Sequence, residues 1–382
     1  MRIAVFSTTD ILPPHGGAEV ALGEIMKRLP DVEFDLYCAK YFSNHSRVER
    51  VGSVTIHRYG FGWGILDKIL FVSLAPFAVV KAHKRKPYDF AWSMMASWGG
   101  LVAVSTKLLV GLPYLLSLQE GDSFADIDRR TRFVRPWFLQ IFREAKAVQA
   151  ISTFLDKWGR RMGFAGSISR VIPNGVDTET FSREIPQQRI AEVRASFGFP
   201  ADAFILVTTS RLVKKNAVQD VIDALVQLPP NVCFVVCGFG ELESILKDRV
   251  RELHLESRMK FLGSVSHEHL PEIIRASDAF IRPSLSEGLG NSFLEAMAVG
   301  VPVIGTMVGG ITDFLVDGQT GFVCRPSNPE SIARTVEKVM KLDRVSQELV
   351  CVRAKAMVYD RFTWDVVAKQ MRLLFEEILG TR

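Results

Sequence analysis

The chain has 382 residues, which is too long for one ordinary core and fits two domains of about 150–200 residues each. Apolar residues make up 48% and charged residues 23%, a globular composition that excludes a disordered or fibrous protein. The net charge of +5 comes from the first half: residues 1–180 hold 23 Lys and Arg against 17 Asp and Glu, and the remainder holds 24 against 25.

Three features predict a cytoplasmic protein without a spanning helix. The segment 1–6 is too short for a signal-peptide core, and the longest apolar run, 69–80, contains Pro76 and falls short of the ~20 residues that a spanning helix needs. The cysteines are scattered through apolar runs, which favours reduced thiols over a zinc site or disulfides. They are Cys38, Cys233, Cys237, Cys324 and Cys351.

Apolar runs alternate with amphipathic stretches along the whole chain, which indicates parallel sheets flanked by helices. In the first half, strands are expected at 2–7, 33–38, 54–59, 90–93, 114–118, 147–150 and 169–172. Helices are expected at 18–29, 65–82, 99–109, 135–144 and 153–162, followed by a helical connector at 183–197.

The same alternation then restarts, which predicts a second doubly wound domain. Strands are expected at 204–210, 232–237, 259–262, 279–282, 303–306 and 321–323. Helices are expected at 217–228, 242–253, 271–276, after Gly290 and at 312–316, and residues 331–380 predict two or three more. Ligands of such sheets bind beyond the carboxyl ends of the strands.

A glycine-rich turn after strand 279–282 is the most informative segment. Gly288 and Gly290 let backbone amides approach one spot, and Asn291 or Ser292 is expected to cap the following helix. The start of a helix offers unpaired N–H groups and a positive dipole end, which suits a phosphate.

Two carboxylates, Glu287 and Glu295, flank this turn with seven residues between them. A diphosphate with a sugar on one side and a nucleoside on the other fits the layout. The segment 284–303 resembles the donor-sugar motif of retaining nucleotide-sugar glycosyltransferases of family 4 (glycosyl transferases group 1). The resemblance spans essentially the whole chain and is sharpest from Val171 onwards. It implies the α/β GT-B fold, in which two Rossmann-like domains with doubly wound parallel sheets face each other across a cleft.

The resemblance also implies domain boundaries. Residues 1–178 would bind the acceptor and residues 179–362 the donor, with a last helix at 363–382 packing back on the first domain. The segment 171–177 matches the interdomain turn of the family. Asn174 and Gly175 form a turn dipeptide, for which a structural role is expected.

By the same resemblance, Glu295 binds the ribose hydroxyls and Glu287 contacts the transferred sugar. The alternative for Glu295 is a carboxylate that only complements the helix dipole, and the alternative for Glu287 is a cap or a solvated loop residue. Amides of the turn would hold sugar and phosphate groups, and Gly240, after strand 232–237, is assigned to the donor site as well. The turn residues are Gly288, Leu289, Gly290 and Asn291.

Arg211 follows strand 204–210 and offers a planar fork for phosphate oxygens. The family usually has a lysine five residues later, where this chain has Asn216, so Lys215 is assigned to the diphosphate and Lys214 to solvent. These cations would stabilise the leaving diphosphate, which gains charge in the transition state. Arg211, Lys215 and Glu287 are therefore the candidate catalytic residues. The family needs no metal or cofactor, and no Asp-x-Asp pair lies near the site.

On the acceptor side, Gly16 and Gly17 open the first helix, where their backbone amides can approach a phosphate or a sugar. His15 precedes them and is a candidate contact of the acceptor, with a structural role as the more common alternative for such a histidine. After strand 114–118 many relatives have a histidine, where this chain has Gln119 and Glu120. Either one of these takes over a polar contact or the acceptor chemistry differs. The lack of a histidine fits a same-face mechanism in which the leaving phosphate accepts the proton of the acceptor.

Trp63, the apolar run 65–80 and the basic cluster 81–86 form an apolar and basic element. Its residues favour a core helix ending in cations, and the alternative is docking on an anionic membrane or binding of a lipid-diphosphate acceptor. The run 124–143 is also rich in basic and aromatic residues. Such patches can alternatively bind nucleic acid, but this function is disfavoured because no recognition module accompanies them.

The expected function is that of a retaining hexosyltransferase. It would use a UDP- or GDP-sugar and a glycan or lipid-linked acceptor in cell-surface polysaccharide or glycolipid synthesis, at the inner face of the cell membrane. A sugar-nucleotide epimerase and a catalytically silent sugar-nucleotide-binding protein stay open. A dinucleotide oxidoreductase is weaker, because Glu243 stands where its third glycine belongs.

Overall fold

The computed structural model describes residues 1–12 and 16–380. It divides the chain into two compact units: Met1–Gly175 together with Trp364–Arg382, and Val176–Thr363. We call them unit 1 and unit 2. All five cysteines are free thiols, and four of them are buried. Among the described residues, no helix has both the length and the apolarity to cross a bilayer.

Unit 1 contains an eight-stranded sheet in the order β3-β4-β2-β1-β5-β6-β7-β8. All neighbours are parallel except β3, which runs antiparallel to β4. The strands are β1 (Arg2–Phe6), β2 (Glu33–Ala39), β3 (Val48–Val51), β4 (Val54–Tyr59), β5 (Phe90–Met94), β6 (Tyr114–Leu118), β7 (Ala147–Ala150) and β8 (Ile168–Val171). The sequence did not predict β3, because this edge strand is mostly exposed and lacks the apolar run of a buried strand.

The described part of residues 1–175 contains six α-helices. They are α1 (Gly17–Lys27), α2 (Ile65–Arg85), α3 (Trp98–Val110), α4 (Phe124–Thr131), α5 (Arg135–Arg143) and α6 (Thr153–Arg161). Helix α4 was not predicted: it has only eight residues, and Phe124 and Ile127 are the large apolar ones among them, so its apolar repeat is too short to stand out in the sequence.

Unit 2 contains a six-stranded parallel sheet in the order β11-β10-β9-β12-β13-β14. Its strands are β9 (Phe204–Thr209), β10 (Val232–Cys237), β11 (Met259–Gly263), β12 (Ala279–Arg282), β13 (Val303–Thr306) and β14 (Phe322–Cys324). The remaining helices are α7 (Thr178–Phe181), α8 (Gln187–Ser196), α9 (Val218–Leu225), α10 (Glu243–Glu252), α11 (Leu270–Arg275), α12 (Asn291–Val299), α13 (Pro329–Met340), α14 (Arg344–Arg361) and α15 (Trp364–Gly380).

Helix α15 completes the core of unit 1. Its apolar face, including Trp364, Met371 and Phe375, lies in one buried cluster with side chains of β1, β2 and β5. The ring of Phe375 lies 5.4 Å from that of Trp92 between ring centres. This helix therefore contributes apolar contacts that the first 175 residues do not supply on their own.

One predicted helix is wrong. Residues 312–316 do not form an α-helix; a 3₁₀ helix occupies Gly309–Asp313 instead. The helical turn ends at Phe314, whose φ of −138° lies outside the α-helical region, so no helix continues to residue 316.

Candidate functional site

The connection from β12 to α12 forms the expected turn before a helix, but the predicted cap is wrong. Gly290 itself is the N-cap residue, with a φ of 103°, and no side chain caps the helix. Asn291 is already the first helical residue, so neither it nor Ser292 takes the cap position. The chain enters the helix through a conformation that favours glycine. The N–H of Phe293 donates to the carbonyl oxygen of Gly290 at 3.0 Å, and the N–H groups of Asn291 and Ser292 receive no side-chain cap, which suits the binding of an anion.

Glu287 is held at the start of this turn by an arginine. Its Oε2 lies 2.9 Å from Nη2 of Arg282, and the two side chains are only 15% and 8% exposed. The backbone of Glu287 is held as well, since its carbonyl oxygen accepts a hydrogen bond of 3.0 Å from the N–H of Gly310. The carboxylate is thus part of a rigid turn, which argues against the solvated loop residue that the sequence left open.

Glu295 lies in the second turn of α12, with its side chain 18% exposed. An interaction with the helix dipole is worth most in the first turn, and Glu295 lies outside it. Complementing the dipole therefore explains little of the role of Glu295. Its Oε1 lies 3.7 Å from Nε2 of His267, a residue between β11 and α11. The imidazole also packs edge-on against the ring of Phe181.

The loop after β9 is bonded directly to the loop after β12. The N–H of Leu285 donates to the carbonyl oxygen of Lys215 at 2.7 Å. Asn216, at the position of the usual family lysine, is buried, and its Nδ2 donates to the carbonyl oxygen of Arg211 at 2.7 Å. Asn216 therefore shapes the loop. The side chains of Arg211 and Lys214 are exposed and that of Lys215 is half-buried.

The glycine after β10 has a packing role. A Cβ on Gly240 would lie 2.4 Å from the carbonyl oxygen of Leu212, and one on Gly238 would lie 1.9 Å from that of Ser210. The backbones of the loops after β9 and β10 are therefore so close that no side chain fits at either glycine. In the turn before α12, Gly288, Leu289 and Gly290 are buried, so only their backbone groups can serve a ligand.

In unit 1 the loops after three neighbouring strands are joined at the carboxyl edge of the sheet. The hydroxyls of Thr8 and Ser97 lie 3.0 Å apart, and the N–H of Ala96 donates to Oε1 of Glu120 at 2.7 Å. Met95, in the same edge, has a φ of 66°, an uncommon conformation for a side chain of this type. The sequence predicted no role for this loop, because it contains no charged residue or glycine pair.

The predicted glycine pair lies at the start of α1. Gly16 is the N-cap residue in extended conformation, and Gly17 is the first helical residue. Glu19, in the first turn, is hydrogen-bonded through its carboxylate to Thr9. This end of α1 therefore already holds one negative charge. His15 lies outside the described residues.

Gln119 and Glu120 differ in what they contact. Oε1 of Gln119 accepts a hydrogen bond of 2.9 Å from Nδ2 of Asn174, which is buried. Glu120 is 7% exposed, and its second carboxylate oxygen, Oε2, has no hydrogen-bond partner among the described residues. Burial raises the pKa of Glu120 from 4.5 to about 7, against the N–H of Ala96, which favours the charged form. Gln119 is thus tied to Asn174, whereas Glu120 keeps one buried oxygen without a partner among the described residues.

The raised pKa of Glu120 predicts a pH-dependent stability. The folded chain holds this proton more tightly than the unfolded chain, so the stabilisation is fully present below about pH 4.5 and is lost as the pH rises through about 7. We expect the free energy of unfolding to fall by roughly 3 kcal/mol over this range relative to Glu120→Gln. Chemical denaturation at pH 5 and pH 8 measures it, with Glu144→Gln, at a carboxylate 40% exposed, as the control. Equal pH slopes for wild type and Glu120→Gln would contradict the prediction.

No group of three or more His, Cys, Asp or Glu residues in the described part of the chain is arranged to hold a metal ion.

Comparison with known families agrees with this geometry. The model for glycosyl transferases group 1 matches residues 189–352, and the model for glycosyltransferase family 4 matches residues 15–180. The chain belongs to glycosyltransferase family 4. The two matches cover, respectively, most of unit 2 and most of the sheet of unit 1.

Individual relatives of this family 4 member are distant. It is 30% identical over 203 residues to an uncharacterized glycosyltransferase of Methanocaldococcus jannaschii, covering 53% of the chain and 52% of that protein. It is 29% identical over 192 residues to N-acetyl-alpha-D-glucosaminyl L-malate synthase of Bacillus anthracis, covering half of each. The chain thus spans about half the length of these relatives.

The fold of this family 4 member is the GT-B fold. The crystal structure of Anabaena HepE in complex with UDP-glucose matches it with a TM-score of 0.79 over 100% of both chains, at 22% identity. The predicted architecture of two parallel-sheet α/β domains is confirmed.

Proposed function

We propose that this chain is a retaining glycosyltransferase that moves a hexosyl unit from a UDP- or GDP-sugar to a glycan or lipid-linked acceptor in cell-surface polysaccharide or glycolipid synthesis. One observation carries the donor site: the 2.7 Å bond from Leu285 to Lys215 joins the loop of the cations to the loop of Glu287. The residues expected to bind the diphosphate and those expected to bind the sugar therefore lie at one edge of one sheet.

Each donor group has a role that its chemistry supports. Arg211 and Lys215 bind the diphosphate, and Glu295 accepts hydrogen bonds from the ribose hydroxyls. Glu287 contacts the transferred sugar, and the N–H groups at the start of α12 hold sugar and phosphate oxygens. Gly240 serves the site indirectly, by letting the loop after β10 pack on the loop that carries Arg211.

The reaction proceeds on one face of the sugar and retains its configuration. The bond between the anomeric carbon and the phosphate oxygen breaks, and the acceptor oxygen bonds to the same face of that carbon. The proton of the acceptor hydroxyl passes to the leaving phosphate. Arg211 and Lys215 favour this step because the diphosphate gains negative charge in the transition state, and no metal or cofactor is required.

The acceptor binds at the carboxyl edge of the sheet in unit 1, near Gly16, Gly17 and Glu120. The free Oε2 of Glu120 is the group that supports this part of the proposal, since a buried polar atom without a partner gains a hydrogen bond when a sugar hydroxyl arrives. Gln119 contributes by its bond to Asn174, which positions the segment that bears Glu120.

Thermal unfolding in the presence of UDP- and GDP-sugars tests the proposal, because a ligand that binds only the folded chain raises its melting temperature. The stabilising donor is then incubated with and without a glycan acceptor. Glycosylated product only with the acceptor supports transfer. Free nucleotide and altered sugar from the donor alone would identify an epimerase, and stabilisation without any product would identify a silent binding protein.

We also infer peripheral docking of unit 1 on an anionic membrane. The outer face of α2 and the residues before it expose a series of large apolar side chains: Trp63 (67% exposed), Ile65 (56%), Leu66 (51%), Leu74 (50%) and Phe77 (65%). The helix ends in Lys81, Lys84 and Arg85, which are exposed. Apolar side chains beside cations favour a surface of anionic lipid over a core position.

Vesicle sedimentation measures this docking. We expect a preference on the order of a hundredfold for phosphatidylglycerol over phosphatidylcholine vesicles, since each cation contributes about 1 kcal/mol. Phe77→Ser should weaken binding about tenfold or more through lost apolar burial. Leu373→Ser, at a side chain of α15 that is 58% exposed, is the matched control and should have no effect. Equal binding to both vesicle types would contradict the inference.

A further inference from the structure

We propose that Arg282 is a positioning residue that holds the carboxylate of Glu287 in the orientation that binds the donor sugar. The inference rests on the proposed function of Glu287 and extends it to a residue that the sequence did not single out. Arg282 is the last residue of β12, and its side chain reaches from the sheet edge into the turn before α12.

The guanidinium of Arg282 contacts residues at both ends of that turn. Nη2 lies 2.9 Å from Oε2 of Glu287, and Nη1 donates to Oγ of Ser292 at 2.8 Å. Cζ lies 4.9 Å from the centre of the Phe293 ring, within the range of a cation–π contact. One planar group thus fixes the residue that begins the turn and two residues of the first helical turn. A lysine would have to reach both acceptors from a single nitrogen, whereas the planar guanidinium places a separate nitrogen at each of them.

Gly290 packs against the same groups. A Cβ at this position would lie 3.0 Å from Cδ2 of the Phe293 ring, which is tighter than most Cβ contacts, and in ordinary van der Waals contact with Cγ of Glu287 at 3.4 Å and Nη2 of Arg282 at 3.5 Å. The glycine that starts α12 and the arginine that ends β12 therefore form one arrangement around Glu287.

Stability alone does not explain a buried arginine here. Arg282 is 7% exposed, and its Nε is buried without a hydrogen-bond partner among the described residues. A buried ion pair rarely stabilises a protein more than apolar side chains of similar volume, and an unpaired donor adds a cost. These energetics favour a role in the site.

The bond to Arg282 uses Oε2 of Glu287. Within the described part of the chain, Oε1 has no hydrogen-bond donor, so this oxygen stays available to a sugar hydroxyl. Without Arg282, the carboxylate would rotate about its side-chain torsions, and the donor sugar would have to order it on binding. Ordering one such side chain lowers affinity by about tenfold.

The test compares nucleotides with nucleotide sugars. Calorimetry gives dissociation constants of UDP, UDP-glucose, GDP and GDP-mannose for wild type, Arg282→Met, Arg282→Lys and Arg275→Met. Arg275 is the matched control, because its Nη1 lies 3.3 Å from the carbonyl oxygen of Val299 at the opposite end of α12. We expect Arg282→Met to lose about tenfold in affinity for the preferred nucleotide sugar with the affinity for its nucleotide unchanged, Arg282→Lys to recover part of the loss, and Arg275→Met to change neither.

Equal losses for the nucleotide and its sugar in Arg282→Met would overturn the proposal and leave Arg282 a structural residue. If wild type binds neither nucleotide sugar, the proposed function fails, and a second measurement still decides whether Arg282 holds Glu287. The melting temperatures of Arg282→Met, Glu287→Gln and the double variant should not be additive if the two groups are coupled. Additive changes in melting temperature would on their own contradict the positioning role of Arg282.

Discussion

Replacing Arg211 with alanine is expected to lower the rate of sugar transfer by about 10²–10³-fold while leaving the chain folded. The guanidinium is exposed at the end of β9, so its removal costs little stability. The diphosphate, in contrast, loses a bidentate donor at the moment when its charge increases, and the barrier to transfer rises. Turnover of the preferred donor at saturating acceptor, together with the melting temperature, measures both effects.

Lysine variants of the same loop sharpen this test. Lys215→Ala should lower turnover as well, whereas Lys214→Ala, at an exposed cation one residue earlier, should leave it nearly unchanged. If Arg211→Ala retained wild-type turnover, the diphosphate would bind elsewhere. If Lys214→Ala were the more damaging lysine variant, the assignment of Lys215 would be wrong.

Replacing Gly309 with alanine is expected to abolish transfer and to destabilise unit 2 at the same time. A Cβ there would lie 1.9 Å from the carbonyl oxygen of Glu287, and the residue also has a φ of 56°. The neighbouring N–H of Gly310 holds the same carbonyl oxygen, so the backbone cannot yield without moving Glu287. We expect a loss of more than about 2 kcal/mol in the free energy of unfolding and loss of donor binding.

Gly318→Ala separates the two causes. Gly318 has a φ of 68°, but a Cβ there meets nothing within 4 Å. This variant should therefore show only the conformational cost of about 1–2 kcal/mol and should keep its activity. Equal effects of Gly309→Ala and Gly318→Ala on stability and donor binding would show that the contact with Glu287 is unimportant.

The sequence predicts the parallel sheets well because buried strands such as β1 and β10 are apolar at nearly every position. It fails where burial is absent. Strand β3 is mostly exposed, and the eight residues of α4 contain only two large apolar side chains, so neither segment shows a long enough apolar pattern to be recognised. The cap of α12 was wrong because a left-handed glycine competes with the side-chain caps that the sequence suggests.

The site is only partly predictable for a different reason. The motifs with Arg211 and Glu287 are each local in sequence. The bond between Lys215 and Leu285 that joins them is not, because β10, β11 and β12 lie between these two residues along the chain. Arg282 ends an apolar strand and precedes a proline, a place where nothing in the sequence shows that its guanidinium turns towards Glu287. Asn216 departs from the family pattern, and only its bond to the Arg211 carbonyl explains what it does.

A crystal structure with the preferred nucleotide sugar bound tests the donor site most directly. We expect Arg211 and Lys215 within hydrogen-bond distance of the diphosphate, Glu295 at the ribose hydroxyls and Glu287 at the hexose. A donor bound at another edge of the sheet, with these four side chains facing solvent, would contradict the account.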